Sequence, residues 1–287
     1  MNPEPPPPRD RRTARKELGQ HFLTHERDVH RIIETLGPGP GDTVLEIGPG
    51  PGALTRHLVS RCDRLLLLEK DTRFVLDLRE RFRDHSRVEV IAGDATDPAL
   101  ARWITPGIRV VGNLPYNVGT AIVLNLLRFR DRLARVVVML QQEVAERIVA
   151  TPGHRARGAL SLRVQARTGV SLRFRVPPDH FVPPPAIWSA VVDMNPSAAD
   201  PVAAEAAGHP SFDALAQALF AQPRKTVVNS LMAGTRLPRD RVLKALAAVP
   251  IDPGIRPSLV TQEAFVALWR ELGPEWSHDG DRNPAGS

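Results

Sequence analysis

The chain has a single cysteine, Cys62, among its 287 residues. An intrachain disulfide is therefore impossible, a cysteine-based metal site is equally excluded, and no metal is expected. No apolar run approaches the ~18 residues that a membrane-spanning helix needs. The N-terminus is proline-rich and charged, without the apolar stretch of a secretion signal. A cytoplasmic protein is expected, and a monomer. Lysine is scarce too. Nearly all of the 38 basic side chains are arginine, which high-GC coding bias produces by itself. The net charge of +6 and the pI of about 10.3 fit a polyanionic partner, but local clusters carry more weight. One is the N-terminal arm, where Arg9, Arg11, Arg12, Arg15 and Lys16 stand against Glu4 and Asp10 behind a run of prolines. Nucleic-acid contact and mere solubility are both open for it.

What is present is a core-forming 42% of hydrophobic residues, arranged with a clear rhythm. Short apolar runs at 43–47, 64–68, 87–92, 108–112 and 135–140 alternate with amphipathic stretches at 53–60, 72–82, 98–104 and 120–127. The runs are continuously apolar, as expected of strands covered on both faces, so the pattern predicts a doubly wound α/β domain. A helix over 28–36 precedes it, closed by Gly37-Pro38-Gly39-Pro40-Gly41. Beyond it the pattern predicts helices at 143–150 and 158–168, strands at 171–176 and 189–194, and a polar, alanine-rich linker at 195–210. Helices at 211–220, 224–232, 239–248 and 261–272 complete the reading. The expected organisation is an arm at 1–15, an α/β domain at 16–196, a small all-α domain at 197–272 and a polar tail at 273–287.

The most informative stretch is Gly112-Asn113-Leu114-Pro115-Tyr116-Asn117, directly after the fourth strand. Open α/β sheets bind ligands at the carboxyl ends of their strands. An amide, a proline-constrained carbonyl and an aromatic ring placed there suit methylation of an exocyclic amine on a nucleobase. Adenine N6 is a poor nucleophile because its lone pair is delocalised into the ring. An amide oxygen and a backbone carbonyl that accept its two N–H hydrogens turn that lone pair toward an electrophile. Tyr116 can stack on the base once it has left its helix. A plain turn is the competing reading, since Asn, Gly and Pro all favour turns.

A second constellation, Glu46-Ile47-Gly48-Pro49-Gly50-Pro51-Gly52-Ala53, lies between the first strand and its helix. Glycines there permit a sharp turn and let a ligand approach the backbone. Gly48, Gly50 and Ala53 nearly satisfy the dinucleotide fingerprint, so a nicotinamide enzyme competes at this point. Glu69 closes the second strand and suits the ribose hydroxyls of NAD and S-adenosylmethionine alike. Asp94, at the end of the third strand, suits the exocyclic amine of a cofactor adenine, or simply caps a turn. The fourth strand discriminates. No acid–base pair is placed for hydride transfer, whereas methyl transfer from a sulfonium needs little acid–base help and gains most from proximity.

Six ordered segments together resemble the ribosomal RNA adenine N6,N6-dimethyltransferases, most closely those of the small subunit. They are Gly19-Gln20-His21-Phe22-Leu23, Glu46 to Gly50, Gly112 to Asn117, Met139-Leu140-Gln141-Gln142-Glu143-Val144, Phe181-Val182-Pro183-Pro184-Pro185 and Arg224-Lys225-Thr226. The resemblance implies a Rossmann-like class I methyltransferase domain with S-adenosylmethionine as donor. It implies dimethylation at N6 of two adjacent adenosines in the 3′-terminal hairpin loop of 16S rRNA, linked to small-subunit biogenesis. It also gives the helical domain a role in recognising RNA. By position His21, Leu23, Gly48, Gly50, Glu69, Asp94 and Asn113 line the cofactor site. Asn113 and the carbonyl of Leu114, constrained by Pro115, hold the target amine, and Tyr116 and Phe181 sandwich the adenine. The family usually has Asn where this chain has His21. Phe181 beside its prolines also fits a hydrophobic plug. Arg224, Lys225 and Asn229, on or near one helical face, are the candidate phosphate contacts. Two further alternatives remain at this point: a large-subunit methyltransferase, which tends to lack the Arg-Lys-Thr segment, and a non-catalytic assembly protein, against which Asn113 and Tyr116 speak.

Overall fold

The computed structural model describes residues 20–272; the arm at 1–15, Gly19 and the tail at 273–287 lie outside the described residues. Within them the chain divides into two compact units, residues 20–145 with Val170–Ser197, and Glu146–Gly169 with 198–272. The sequence placed its single break near 196. The structure instead groups Glu146–Gly169 with the helical unit. The reason is apolar: Leu162 and Ala166 are buried in one cluster with Phe212, Leu215 and Phe265, a tertiary pairing that helical periodicity alone does not disclose.

The first unit opens with a short strand β1 (Phe22–Leu23) and helix α1 (Glu26–Leu36). It continues through β2 (Thr43–Ile47), α2 (Thr55–Leu58), β3 (Arg64–Glu69), α3 (Thr72–Arg81), β4 (Val88–Ala92), β5 (Ile108–Asn113), α4 (Gly119–Leu126) and β6 (Leu133–Gln141). The five predicted strands of the α/β stretch are thus all present. The expected helix at 98–104 is a single 3-10 turn, Pro98–Arg102, started by Pro98 and capped by Asp97 accepting from the Ala99 N–H. After α5 (Gln142–Val149) and α6 (Ala159–Gln165) come β7 (Gly169–Val176), β8 (Phe181–Val182) and β9 (Ser189–Asn195).

Seven strands form one sheet in the order β4-β3-β2-β5-β6-β9-β7. Strands β2 to β6 run parallel, and β9 returns antiparallel to β6. The chain winds outward from β2 to β4, then crosses back to place β5 on the other side of β2. That reversal opens a crevice at the carboxyl ends of β2 and β5, where such sheets take their ligands. The close spacing of these strands depends on Gly112. A Cβ there would lie 2.6 Å from the Ile47 carbonyl oxygen, a backbone atom that cannot step aside.

The second unit is helical: α7 (Pro201–Ala206), α8 (Pro210–Leu219), α9 (Val227–Thr235), α10 (Arg239–Ala247) and α11 (Gln262–Leu272) join α6. Its core includes an edge-to-face pair of Phe212 and Phe265 with centroids 5.0 Å apart. Two expectations are corrected here. The 195–210 linker contains α7, because Asp200 accepts from the Ala203 N–H and Pro201 stands at the first helical position, a start signal worth about 1 kcal/mol. The helix expected from 224 begins at Val227, because Thr226 is extended at its N-cap and a turn from Gln222 to Lys225 precedes it.

One buried acid lies under the ligand end of the sheet. Glu46, on β2, is 1% exposed and accepts from the Thr55 hydroxyl at 2.8 Å. Burial, with a smaller push from the Glu69 charge, drives its pKa from 4.5 up to about 8, against the Thr55 hydrogen bond. The folded state thus favours the protonated acid. The stability this confers is complete below about pH 4.5 and is lost as the pH rises to about 8. Glu46→Gln, which imitates the protonated form, should therefore gain stability over the parent progressively across that window and hold the gain above it. Urea melts of both proteins at several pH values test this, and parallel curves would mean that Glu46 does not titrate. Gly112→Ala should lower stability by roughly 1–3 kcal/mol, the usual range for overpacking, measured as a lower urea midpoint with an unchanged slope.

Candidate active site

Ten residues from four segments line one cavity at the crevice: Gln20, His21, Phe22, Gly48, Gly50, Glu69, Asn113, Leu114, Pro115 and Tyr116. Eight of these positions come from separate motifs that sequence reasoning assigned to one site, counting His21, Gly48, Gly50, Glu69 and the Asn113 to Tyr116 run. The fold brings them together because β2, β3 and β5 are parallel neighbours that end at the same edge.

The glycine loop forms the floor. Gly50 has φ +52°, a region costly for any residue with a Cβ, and a Cβ there would press on the Phe22 ring at 3.2 Å. Its N–H donates to Glu69 Oε2 at 3.0 Å, while Glu69 Oε1 accepts from the Asp71 N–H at 2.8 Å. Burial raises the Glu69 pKa, and the N–H donors of Asp71 and Gly50 oppose it. Each oxygen of an ionised carboxylate keeps a second lone pair for a hydroxyl. Behind it Gln20 Nε2 donates to Asp71 Oδ2 at 3.2 Å, so the N-terminal segment is hydrogen-bonded into the same network.

The wall is Asn113-Leu114-Pro115-Tyr116. Asn113 Nδ2 donates to the His21 carbonyl oxygen at 2.7 Å, which turns Oδ1, the acceptor, away from that bond. The N–H groups of Val118 and Gly119 both donate to the Pro115 carbonyl, so the turn closes on Pro115 and not on Leu114. Pro115 confines Leu114 to extended backbone. Leu114 lines the cavity next to Asn113, and among the described residues no turn bond reaches its carbonyl. The Tyr116 hydroxyl is hydrogen-bonded to Ser189 Oγ at 2.5 Å, and burial raises its pKa despite that bond. Its ring stacks on His21 with centroids 5.3 Å apart and planes inclined by 29°.

Three expected site residues stand elsewhere. Phe181 is 2% exposed and lies in the core with Leu23, Val29 and Phe174, so it does not face the cavity as one half of a sandwich. The antiparallel register of β1 and β8 sets Leu23 opposite Phe181. Pulling a Phe from such a core costs about 3–5 kcal/mol when its space stays empty, against about 1–3 kcal/mol from stacking on a base. The core holds it. Leu23 is buried beside it, and Phe22 lines the cavity instead, as alternation along a strand requires. Asp94 is outside the lining residues. Its Oδ2 accepts from Lys70 Nζ at 2.7 Å and its Oδ1 from the Thr96 N–H and hydroxyl. Burial works against its charge, but these donors prevail and lower its pKa.

Gln20, Phe22 and Ser189 were not singled out from sequence. The first two lie within the N-terminal motif, where strand alternation would have favoured Phe22 over Leu23. Ser189 has no local signal. In the helical unit Arg224 and Lys225 are exposed in the turn before α9, and Asn229 is exposed on α9 itself, so the three do not share one helical face.

Residues 11–257 match the family model described as ribosomal RNA adenine dimethylase. The Ribosomal RNA small subunit methyltransferase A of Geobacter metallireducens is 38% identical over 269 residues, covering 90% of this chain and 95% of that protein. Among solved structures, a dimethyladenosine transferase from Plasmodium falciparum has a TM-score of 0.74 at 22% identity, over 88% of this chain and 97% of that one. The 23S rRNA methyltransferase ErmE has a TM-score of 0.64 at 24% identity, over 88% and 99%. These two structures share the fold. With the model match running through both units and the identity spread over nine-tenths of its length, the chain belongs to the ribosomal RNA adenine dimethylase family.

Proposed function

We propose that this enzyme dimethylates N6 of two adjacent adenosines in the 3′-terminal hairpin loop of 16S rRNA, with S-adenosylmethionine as donor. The substrate is the small ribosomal subunit or its precursor, acted on in the cytoplasm by a monomer. The observation that carries the reading is the Asn113 amide. Its nitrogen is engaged by the His21 carbonyl, so its oxygen is left as an acceptor, and the carbonyl of Leu114, which lines the same cavity, would be the second. Two acceptors suit the two hydrogens of an exocyclic amine, and holding them draws the nitrogen lone pair out of conjugation. Tyr116 would support the flipped base by its ring face.

The cavity floor fits the donor. Gly48 and Gly50 leave backbone bare along it, and the Glu69 carboxylate suits a pair of ribose hydroxyls. His21 and Asn113 would lie near the reacting end. Asp94, at the end of the next strand over, would serve the adenine by exchanging its Lys70 contact. S-adenosylmethionine when bound supplies an electrophilic methyl group on a sulfonium. The chain's own part is to fix the amine, exclude water around it and align it for in-line attack. A neutral thioether leaves without a proton donor, and the one proton that N6 loses with each methyl it gains would pass to solvent.

The small-subunit target is favoured over a large-subunit one by Arg224-Lys225-Thr226 and by the name of the Geobacter relative. In this reading Arg224, Lys225 and Asn229 contact phosphate, the first two from a turn and the third from α9.

Asn113→Ala should lower methyl transfer to unmethylated small subunits by a factor of about 100 or more, the typical loss of one transition-state hydrogen-bond partner. RNA binding should be spared, and nucleoside mass spectrometry for N6,N6-dimethyladenosine gives the measurement. Full activity would remove the proposed role of Asn113. Arg224→Ala with Lys225→Ala should weaken subunit binding and flatten the log–log salt dependence of its affinity by ~1–2. An unchanged slope would place both residues outside the RNA footprint.

A further inference from the structure

We propose that the His21 imidazole is a displaceable stand-in for the target base, covering the face of Tyr116 on which the flipped adenine stacks. The inference rests on the reading of Tyr116 as the base platform and goes beyond it. His21 and Tyr116 line the same cavity as Asn113 and Leu114. Their ring centroids are 5.3 Å apart, within the roughly 4.5–7 Å that separates directly stacked aromatic neighbours. A planar base cannot enter between rings already in contact. Phe181, the expected second wall, is buried in the core, so an imidazole is what Tyr116 meets instead.

His21 is built so that its ring can leave while its backbone stays. The carbonyl oxygen is held by Asn113 Nδ2. The next residue, Phe22, is paired with Val182 in the β1–β8 ribbon. Thr24 then donates to the His180 carbonyl through both its N–H and its hydroxyl. The main chain is thus pinned at His21 itself and along the residues that follow it. Among the described residues the ring is held by the stack and by Nδ1 donating to the Pro183 carbonyl at 2.8 Å. Rotation about the side-chain bonds releases both contacts and leaves the Asn113 amide in its catalytic orientation. The ring would keep the apolar face of Tyr116 covered in the free enzyme and give it up only to a partner that stacks better. A purine offers the larger π-surface, and its amine also gains the two acceptors.

Tyr116 is the only tyrosine of the chain, so ring-labelled tyrosine gives one set of NMR signals. The free full-length protein should display cross-relaxation between the Tyr116 ring and the His21 imidazole, abolished in His21→Ala. The probe is an unmethylated RNA hairpin with two adjacent adenosines in its loop. Its binding, followed separately by fluorescence anisotropy, should replace those contacts by contacts to adenine protons. Removing the competing ring should tighten RNA binding by roughly three- to tenfold, on the scale of one aromatic pair. His21→Asn should behave the same way, because an amide can bond Pro183 but cannot stack. Adenine contacts that appear while the His21 contacts persist would overturn the stand-in and leave the platform standing. Weaker RNA binding in both variants would also overturn it. A complex whose Tyr116 signals do not change would overturn the platform itself.

Discussion

The orientation of one amide governs the chemistry this site can perform. An asparagine at the tip of β5 offers either two donors or an acceptor to a ligand, and the two faces recognise opposite partners. The bond from Asn113 Nδ2 to the His21 carbonyl decides the matter. It commits the donor end to the protein and leaves the oxygen as an acceptor. That bond exists only because the segment before α1 is clipped across the carboxyl ends of the strands, paired to β8 by two residues and tied to α3 through Gln20 and Asp71.

Much of the surrounding architecture serves to hold that segment and the strand tips in place. The closest approach of β5 to β2 needs the missing side chain of Gly112. The glycine loop is clamped by Glu69 from the neighbouring strand. A buried carboxyl at Glu46 is retained beneath the loop with a pKa near 8, an acid kept neutral by its surroundings and satisfied by Thr55. Beside β1, the Asp28 carboxylate accepts from His180 at 2.5 Å, and the His25 and His180 rings stack at 3.7 Å. Polar contacts and apolar packing therefore converge on the same two short strands, although those strands are too brief to be stable by themselves.

The interchange of Phe181 and His21 illustrates how packing assigns roles. Both stand in motifs that point to the base-binding pocket. Pairing of β1 with β8 sends Phe181 inward with Leu23 and leaves Phe22 and His21 at the cavity. An aromatic residue that fills a core is held there by the void its departure would leave. The ring that meets Tyr116 is instead one on a half-buried side chain with one hydrogen bond among the described residues, as the proposed exchange with a base requires.

Sequence by itself determined the parallel strands, because residues buried on both sheet faces must be apolar without alternation, and the runs at 65–68 and 136–140 carry that mark. It also determined the chemistry-bearing tips, since Gly48, Gly50, Glu69 and Asn113 follow directly from the strand ends on which they sit. The polar composition at 195–210 masked a local helix start at Asp200-Pro201, and the extended Thr226 moves Arg224 and Lys225 off their helix. Only the tertiary structure decided which side of each short strand faces the cavity, that Ser189 anchors Tyr116, and that Glu146–Gly169 belong with the helical unit. The physical reason is the same throughout. Burial periodicity is written along the chain, whereas the choice of partner depends on contacts between residues far apart in it, and those are settled only when the cores close.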